Sequence, residues 1–383
     1  VLHPQDAVAS LGADAPFPAH YGAILREQRR LERGRSVVDL GGMEILQVSG
    51  ADARTWLTTI TSQVVTGVPV GTSLALAVLS PQGRLEHLAS AIVSGEQEVL
   101  LLVDPGRRAP LRQYLASMVF MSRVELTDRD DLRILGGVAP APEVIGERLA
   151  LPAPVAVWQD PWPAVTTGGV SYGPDPEDPT PWVLSILPAA GLEALTWPLE
   201  LLAGIHAAEA LRIANHRPRL VLEADERTIP HELDLLRTAV HTAKGCYRGQ
   251  ETVAKVLNLG QPPRRLVMLH LDGSQDVAAS SGAEVRLGDR EKSKVVGRVT
   301  STAMHADLGP IALAVVKRAV PLDAPLLVRA VIGGDASADM GGDAGGADTS
   351  APSTNEQEFW LDATQEPIVV ARDHGQRPET ARL

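Results

Sequence analysis

The sequence predicts an α+β protein, in which a mainly antiparallel sheet carries helices on one face and a small antiparallel β-barrel follows. Three observations carry this expectation. Residues 37–136 alternate strand-like and helix-like runs in the order β-α-β-β-β-α-β. The sharpest break in the chain is Gln261-Pro262-Pro263, where consecutive prolines exclude helix and sheet interior. Every segment beyond it is short, strand-like and punctuated by turns.

Taken in order, residues 43–48 read as a partly alternating strand. Ser49 reads as a helix N-cap with Asp52 as a capping-box variant, and Ala53, Trp56, Leu57 and Ile60 share one helical face. Strands follow over 74–79, over 85–93 after the turn Pro81-Gln82-Gly83, and over 99–103 after Gly95-Glu96. Asp104-Pro105 then reads as an N-cap with proline at the first helical position, opening a helix to about Met118. Residues 119–126 return as a strand.

Residues 136–163 are rich in Pro, Ala and Gly and read as a connection with little regular structure. A strand is expected over 183–187. Thr196 and Pro198 open a helix over 199–214, with Leu202, Ile205, Ala208 and Leu211 turned inward. Barrel strands are expected at 266–271, 295–301, 311–317, 326–332 and 368–371, with Arg264-Arg265 as the exposed start. Residues 333–355, dominated by Gly, Ala, Asp and Ser, cannot bury enough apolar area to offset ordering entropy, which predicts a flexible insertion. The expected units are an N-terminal extension (1–36), a first α+β part (37–136), a linker with a second α+β part (137–261), and the barrel (262–383).

A chain of 383 residues is too long for one ordinary core, in line with two or three domains. Aromatics are only 3%, so Leu, Val, Ile and Ala must build those cores. The net charge of −12 argues against direct nucleic-acid binding, which needs clustered Lys and Arg. The single cysteine, Cys246, excludes an internal disulfide and fits a reducing compartment. No apolar run is long enough to span a bilayer and no signal peptide is visible, so a cytoplasmic protein without a membrane partner is expected.

The densest cluster of unusual residues is Lys244-Gly245-Cys246-Tyr247-Arg248-Gly249-Gln250-Glu251. The two glycines permit a tight backbone and close approach. Lys244 and Arg248 flank the thiol, and nearby cations favour the thiolate that attacks electrophiles or binds soft metals. On spacing alone, a small buried hydrophobe is the better reading of Cys246. His231-Glu232 and His241 lack metal-site spacing and fit hydrogen-bonded loops, and Asp225-Glu226-Arg227 fits a solvated turn. One cysteine cannot supply a four-thiolate cluster, so Cys246 offers at most a single metal ligand and no bound metal is predicted.

The string from Lys244 to Glu251 resembles the hallmark of YgfZ-type proteins, the folate-binding relatives of the glycine-cleavage T-protein. Other segments fall in that family's order: Val48-Ser49-Gly50-Ala51-Asp52-Ala53, Glu209-Ala210-Leu211-Arg212-Ile213, Thr228-Ile229-Pro230-His231-Glu232 and Gly297-Arg298-Val299-Thr300-Ser301. The likeness spans roughly 37–332. It implies a three-domain ring around a central folate cavity, closed by the C-terminal barrel, with tetrahydrofolate or a derivative as cofactor. It also implies an accessory role for iron–sulfur enzymes or assembly proteins that affects tRNA modification only indirectly.

The ligand that the resemblance implies suggests roles for the residues. Arg212, Lys244 and Arg248 would supply positive charge for an anionic tail, Tyr247 would flank a flat ring, and Gln250 or Glu251 would hydrogen-bond it. Two departures from the T-protein pattern lean away from an enzyme. Glu86 or His87 stands where those enzymes place an aspartate, and Ala214 follows Leu211-Arg212-Ile213 where they carry a pterin-contacting glutamate. A tetrahydrofolate-dependent aminomethyl- or methyltransferase using Glu86 is the alternative, and a folate-sensing scaffold without chemistry is a third reading.

Overall fold

The computed structural model describes residues 2, 7–174, 178–259, 261–274, 277–288, 292–332 and 357–370, and the insertion predicted at 333–355 lies outside them. The chain opens with a hairpin of β1 (Val8–Ala9) and β2 (Pro18–His20), followed by α1 (Ile24–Glu32). Glu27 fixes this entry, because its carboxylate accepts the backbone N–H of Tyr21, Ala23 and the distant Gly204. The segment read as an extension is therefore pinned to the body of the molecule.

After β3 (Val37–Asp39) come β4 (Glu44–Ser49), α2 (Ala53–Ile60), β5 (Ser73–Leu79), β6 (Leu85–Gly95), β7 (Glu98–Val103), α3 (Arg108–Met118) and β8 (Glu125–Asp128). Apart from β3 these form the predicted sheet, in the order β5-β6-β7-β4-β8 and antiparallel throughout. Alternation along the strands sends Leu74, Leu76, Val99 and Leu101 against Trp56, Leu57, Leu111 and Leu115 of α2 and α3. The opposite set, including Ile45, Ile92, Leu100 and Leu102, faces a second sheet.

Both predicted helix starts move. Asp52, not Ser49, occupies the N-cap of α2, and its carboxylate binds Arg123 rather than the helix backbone. Asp104 caps nothing either: a turn through Gly106, at φ +74°, delays α3 to Arg108, and Asp104 reaches Arg219 instead. Long-range ion pairs won over local capping at both sites. Residues 119–124 form turns rather than the start of β8.

The second sheet is assembled from β9 (Leu132–Gly137), β10 (Ala156–Gln159), β11 (Val183–Pro188), β12 (Leu202–Ala203) and the early β3, in the order β10-β11-β9-β3-β12. Only the β12–β3 pair is parallel. The stretch 136–163 is thus a working part of a sheet, contributing the end of β9, the short α4 (Ala141–Ile145) and β10. After α5 (Ala189–Glu193), the helix expected from 199 begins only at α6 (Ile205–Ala214), because Leu202 and Ala203 pair with Val37 and Val38. Its predicted inward residues are all buried.

The chain continues through α7 (Leu220–Glu223) and α8 (Gln250–Leu259) into β13 (Arg264–Leu271), β14 (Glu284–Leu287), β15 (Lys294–His305), β16 (Gly309–Lys317), β17 (Leu326–Ile332) and β18 (Gln357–Pro367). These six close an antiparallel barrel in the order β13-β16-β15-β14-β17-β18. Val267, Leu269, Ala312, Ala314 and Val316 fill its interior. The alternate residues Leu266, Met268, Ile311, Leu313 and Val315 face outward onto Leu233, Leu235, Leu236 and the tips of β5 and β6. The strand expected at 368–371 is displaced upstream into β18, and Ala371 lies outside the described residues. Arg264 and Arg265 are not an exposed start: Arg264 clamps Asp225 and Glu232, and Arg265 is buried.

Candidate functional site

Where the two sheets and α6 meet they leave a cavity of about 180 Å³. The aromatic rings of Phe17, Trp158 and Trp182 line it, and so do Asp104, Asp160, Glu209, Arg212, Arg217 and Arg219. A smaller space of about 110 Å³ shares Ser90, Trp158, Asp160 and Arg217 with it. The N-terminal segment contributes Phe17 to this wall.

Its charged side is built from α6 outward. Glu209 and Arg212, three residues apart, share one helical face and are joined at 2.7 Å. Arg212 also donates to Glu223 at 3.1 Å, to the backbone carbonyl of Arg217 at 2.6 Å and to Ser301 of the barrel at 2.7 Å. Arg219 joins Asp104 at 2.7 Å, Asp14 at 2.9 Å and Glu209 at 3.0 Å. Two guanidiniums therefore serve four carboxylates. Burial works against the Glu209 anion, but Arg212 and Arg219 hold its carboxyl below the usual range. Asp14 goes the other way, pushed up by burial and by the negative charge of Glu209. Beside them Asp160 and Arg217 pair at 2.8 Å; burial pushes the Asp160 carboxyl up and the Arg217 guanidinium down. Removing one member of such a buried network strands its partners, at a cost of about 3–5 kcal/mol.

The loop from Lys244 to Glu251 lies elsewhere, over the C-terminal end of α2. The ammonium of Lys244 donates to the backbone carbonyls of Thr58 and Thr61, lies 3.4 Å from that of Gln63, and stands 5.0 Å from the Tyr247 ring. Burial lowers it to about 8. Arg248 binds Glu86 at 2.7 Å and lies over Tyr114 at 5.7 Å. Gly249 has φ +83°, and a Cβ there would meet the carbonyl of Ser80 at 2.5 Å and the Cα of Gly83 at 2.9 Å. Gln250 and Glu251 form the first turn of α8. Cys246 is left exposed, on a backbone whose neighbour Gly245 touches nothing within 4 Å.

These positions sort the residues singled out from sequence. Cys246 is not a buried hydrophobe. Its two cationic neighbours are turned onto other partners, Lys244 onto carbonyls and Arg248 onto Glu86. Of the six residues assigned to ligand binding, Arg212 lines the cavity, whereas Lys244, Tyr247, Arg248, Gln250 and Glu251 are absent from its lining. Glu86 is on the strand whose Leu88 and Ser90 line the cavity, but its carboxylate is bound to Arg248. His87 packs on Tyr114, and burial with Arg107 and Arg248 holds it at about 4, so it is neutral at pH 7. Ala214 packs against an apolar cluster and not into the cavity. His231 donates from Nε2 to the Val253 carbonyl and Glu232 binds Arg264, as hydrogen-bonded loop residues do. No group of three or more His, Cys, Asp and Glu suited to a metal ion occurs among the described residues, and no helix among them is long and apolar enough to cross a membrane.

Asp14, Phe17, Asp104, Trp158, Asp160, Trp182, Arg217 and Arg219 were not anticipated. Their one sequence signal was the pair of charges, Glu209 and Arg212, set in a helix that is otherwise apolar on nearly every side.

No family model matches the sequence, and neither does any curated protein. Among solved structures, the glycine cleavage system aminomethyltransferase T from Bartonella henselae is similar over 96% of this chain and 96% of its own, with a TM-score of 0.66 and 16% identity. The heterotetrameric sarcosine oxidase from Corynebacterium sp. U-96 matches over 43% of this chain and 85% of that one at 12% identity, with a TM-score of 0.24 that supports no argument. Sheets, helices and closed barrel thus define an α+β protein of one known architecture. That architecture is the T-protein fold, shared along nearly the whole chain.

Proposed function

We propose that this is a cytoplasmic, YgfZ-type folate-binding protein that supports the assembly or repair of iron–sulfur proteins, and that it is not an aminomethyltransferase. The cavity is the observation that carries the reading. Flat aromatic walls from Trp158 and Trp182, beside a rim of fixed carboxylates and guanidiniums, suit a flat heterocycle with hydrogen-bonding edges and an anionic tail. Tetrahydrofolate is such a molecule, and Arg212, Arg217 and Arg219 are the cations in the cavity lining. Cys246 supports the second half of the proposal, as an exposed thiol on a loop anchored at Lys244, Arg248 and Gly249 and open to a protein partner. Any effect on tRNA modification would pass through iron–sulfur client enzymes.

The enzyme reading needs Glu86 as the carboxylate that manages protons. Glu86 is committed to Arg248, and His87 beside it is half-buried and packed on a ring. Two assays test the choice. In cells lacking the protein, wild type restores iron–sulfur enzyme activity and Cys246→Ala does not; full restoration by the variant removes the thiol from the account. In vitro, the purified protein shows no aminomethyl transfer to tetrahydrofolate. Turnover that Glu86→Gln abolishes would hand the chain to the enzyme reading.

A further inference from the structure

Phe120 and Met121, in the turn after α3, are 93% and 84% exposed, and the next most exposed large apolar residue among those described, Met304, reaches 52%. The chain has three phenylalanines, and one of them stands almost wholly in solvent. The turn is nonetheless braced. The Trp56 indole donates to the Met118 carbonyl at 3.0 Å, and the backbone N–H of Ser122 donates to the Val119 carbonyl at 2.8 Å. Asp52 accepts the backbone N–H, Nε and Nη2 of Arg123 at 2.8, 3.0 and 2.6 Å. A Cβ on Gly50 would meet the Arg123 carbonyl at 2.2 Å, so the far side of the turn is seated directly on backbone. Phe120 is held at φ +40°, outside the conformations an aromatic residue ordinarily adopts. A strained backbone that keeps two large apolar side chains in water, on a rigid root, has the form of a preorganised anchor.

The turn shares its side of the molecule with the octapeptide loop. α2 and α3 cover one face of the first sheet, with Trp56 at Met118 and the Tyr114 hydroxyl donating to the Ile60 carbonyl at 3.3 Å. Lys244 rests on the end of α2, and Arg248 lies over Tyr114, about 6 Å of helix rise from Met118. The apolar tip and the loop that carries Cys246 thus stand at opposite ends of one helix pair. Every exposed residue of that pair, Thr55, Thr59, Gln113, Ala116 and Ser117 among them, is uncharged, in a chain of net charge −12. Its half-buried arginines, Arg54, Arg108 and Arg112, face Glu96, Asp130 and Asp128. An aromatic ring and methionines beside a surface emptied of charge have the composition of a protein–protein interface core. An anionic membrane or a nucleic acid would call for unpaired cations instead. We infer that Phe120 and Met121 dock into an apolar pocket of a folded protein partner, which lies across α2 and α3 and so reaches Cys246. The inference rests on the reading of Cys246 as a thiol that meets an iron–sulfur client or assembly protein, and adds the place where that partner is held.

The test places the photo-crosslinker p-benzoylphenylalanine at position 59 of the full chain in living cells and identifies the adduct by mass spectrometry. Irradiation is expected to join the chain to one protein of iron–sulfur metabolism. The yield should fall at least about fivefold when Phe120→Gly and Met121→Ser are added. Glycine takes φ +40° readily, so this double variant should melt no lower than the parent chain. Phe120→Leu with Met121→Leu keeps the apolar area and should keep the adduct. An undiminished yield from the double variant overturns the inference, and so does a yield lost equally in the leucine pair. An adduct formed only with lipid or with a second copy of this chain, or no adduct at all, overturns it as well. A partner from outside iron–sulfur metabolism, captured by the parent chain and lost with the double variant, upholds the docking surface and brings down the iron–sulfur reading instead.

Discussion

The ammonium of Lys244 rests on the carbonyls of Thr58 and Thr61, at the end of α2, where a helix leaves its last acceptors unpaired. A residue conspicuous in sequence for its charge beside a cysteine thus works as a helix cap supplied from 183 and 186 residues away. Lys244→Met keeps the stem and removes the donor. It is expected to lower the unfolding free energy by about 1–2 kcal/mol in denaturant titrations. An unchanged midpoint would show that the cap carries no weight. The sequence could not reveal this role, because the acceptors are backbone atoms and any residue at positions 58 and 61 would supply them. Cys246 was ambiguous for a related reason: free cysteines are usually buried, and only the neighbouring anchors leave this one outside.

At the scale of elements, two glycines and one ion cluster decide how the pieces dock. Gly249, at φ +83°, starts α8 against the turn that holds Gly83, at φ +75°, with the backbones in contact. Gly249→Ala pays the left-handed strain and drives a methyl into the carbonyl of Ser80, so a loss of about 1–3 kcal/mol is expected by thermal or chemical unfolding. A neutral substitution would mean that the contact yields freely. The sequence did mark Gly249 as a close-approach position, although what approaches is the protein's own turn and not a ligand.

The second device ties the segment before the octapeptide to the barrel. Arg264 binds both Asp225, at 2.6 Å, and Glu232, at 2.8 Å. Hydrogen bonds from Arg264 outweigh burial and hold the Asp225 carboxyl well below the usual carboxylate range. A folded-state value below that of the unfolded chain gives stability that is fully present above the unfolded value of 3.8 and is lost as pH falls toward the folded one. Asp225→Asn is therefore expected to cost about 1–2 kcal/mol at neutral pH, a gap that narrows as the pH is taken below about 4. Unfolding curves of both proteins at neutral and acid pH check this, and a gap independent of pH would contradict it. Arg264-Arg265 looked like a solvated start because both partners of Arg264 lie far upstream in the sequence.

Across the whole molecule, legibility followed the length and continuity of the pattern. Apart from the four-residue β8, the strands of the first sheet and most of those of the barrel have six to twelve residues, long enough to show alternation, and their order was readable. The second sheet escaped because β3, β10 and β12 have two to four residues each and come from separate parts of the chain. β14, with four residues, was missed for the same reason. The cavity was the least legible feature. Its wall draws on residues from Phe17 to Leu220, and Ser301 of the barrel supports it from behind. No local window holds more than a few of them.

Folate occupancy of that cavity is the claim on which the functional account turns, and intrinsic fluorescence reads it directly. Trp158 and Trp182 line the wall, so titration with tetrahydrofolate should give a saturable one-to-one quench that is lost in the Trp158→Phe, Trp182→Phe double variant, together with a raised melting temperature. A flat titration with an unshifted melting temperature would contradict it.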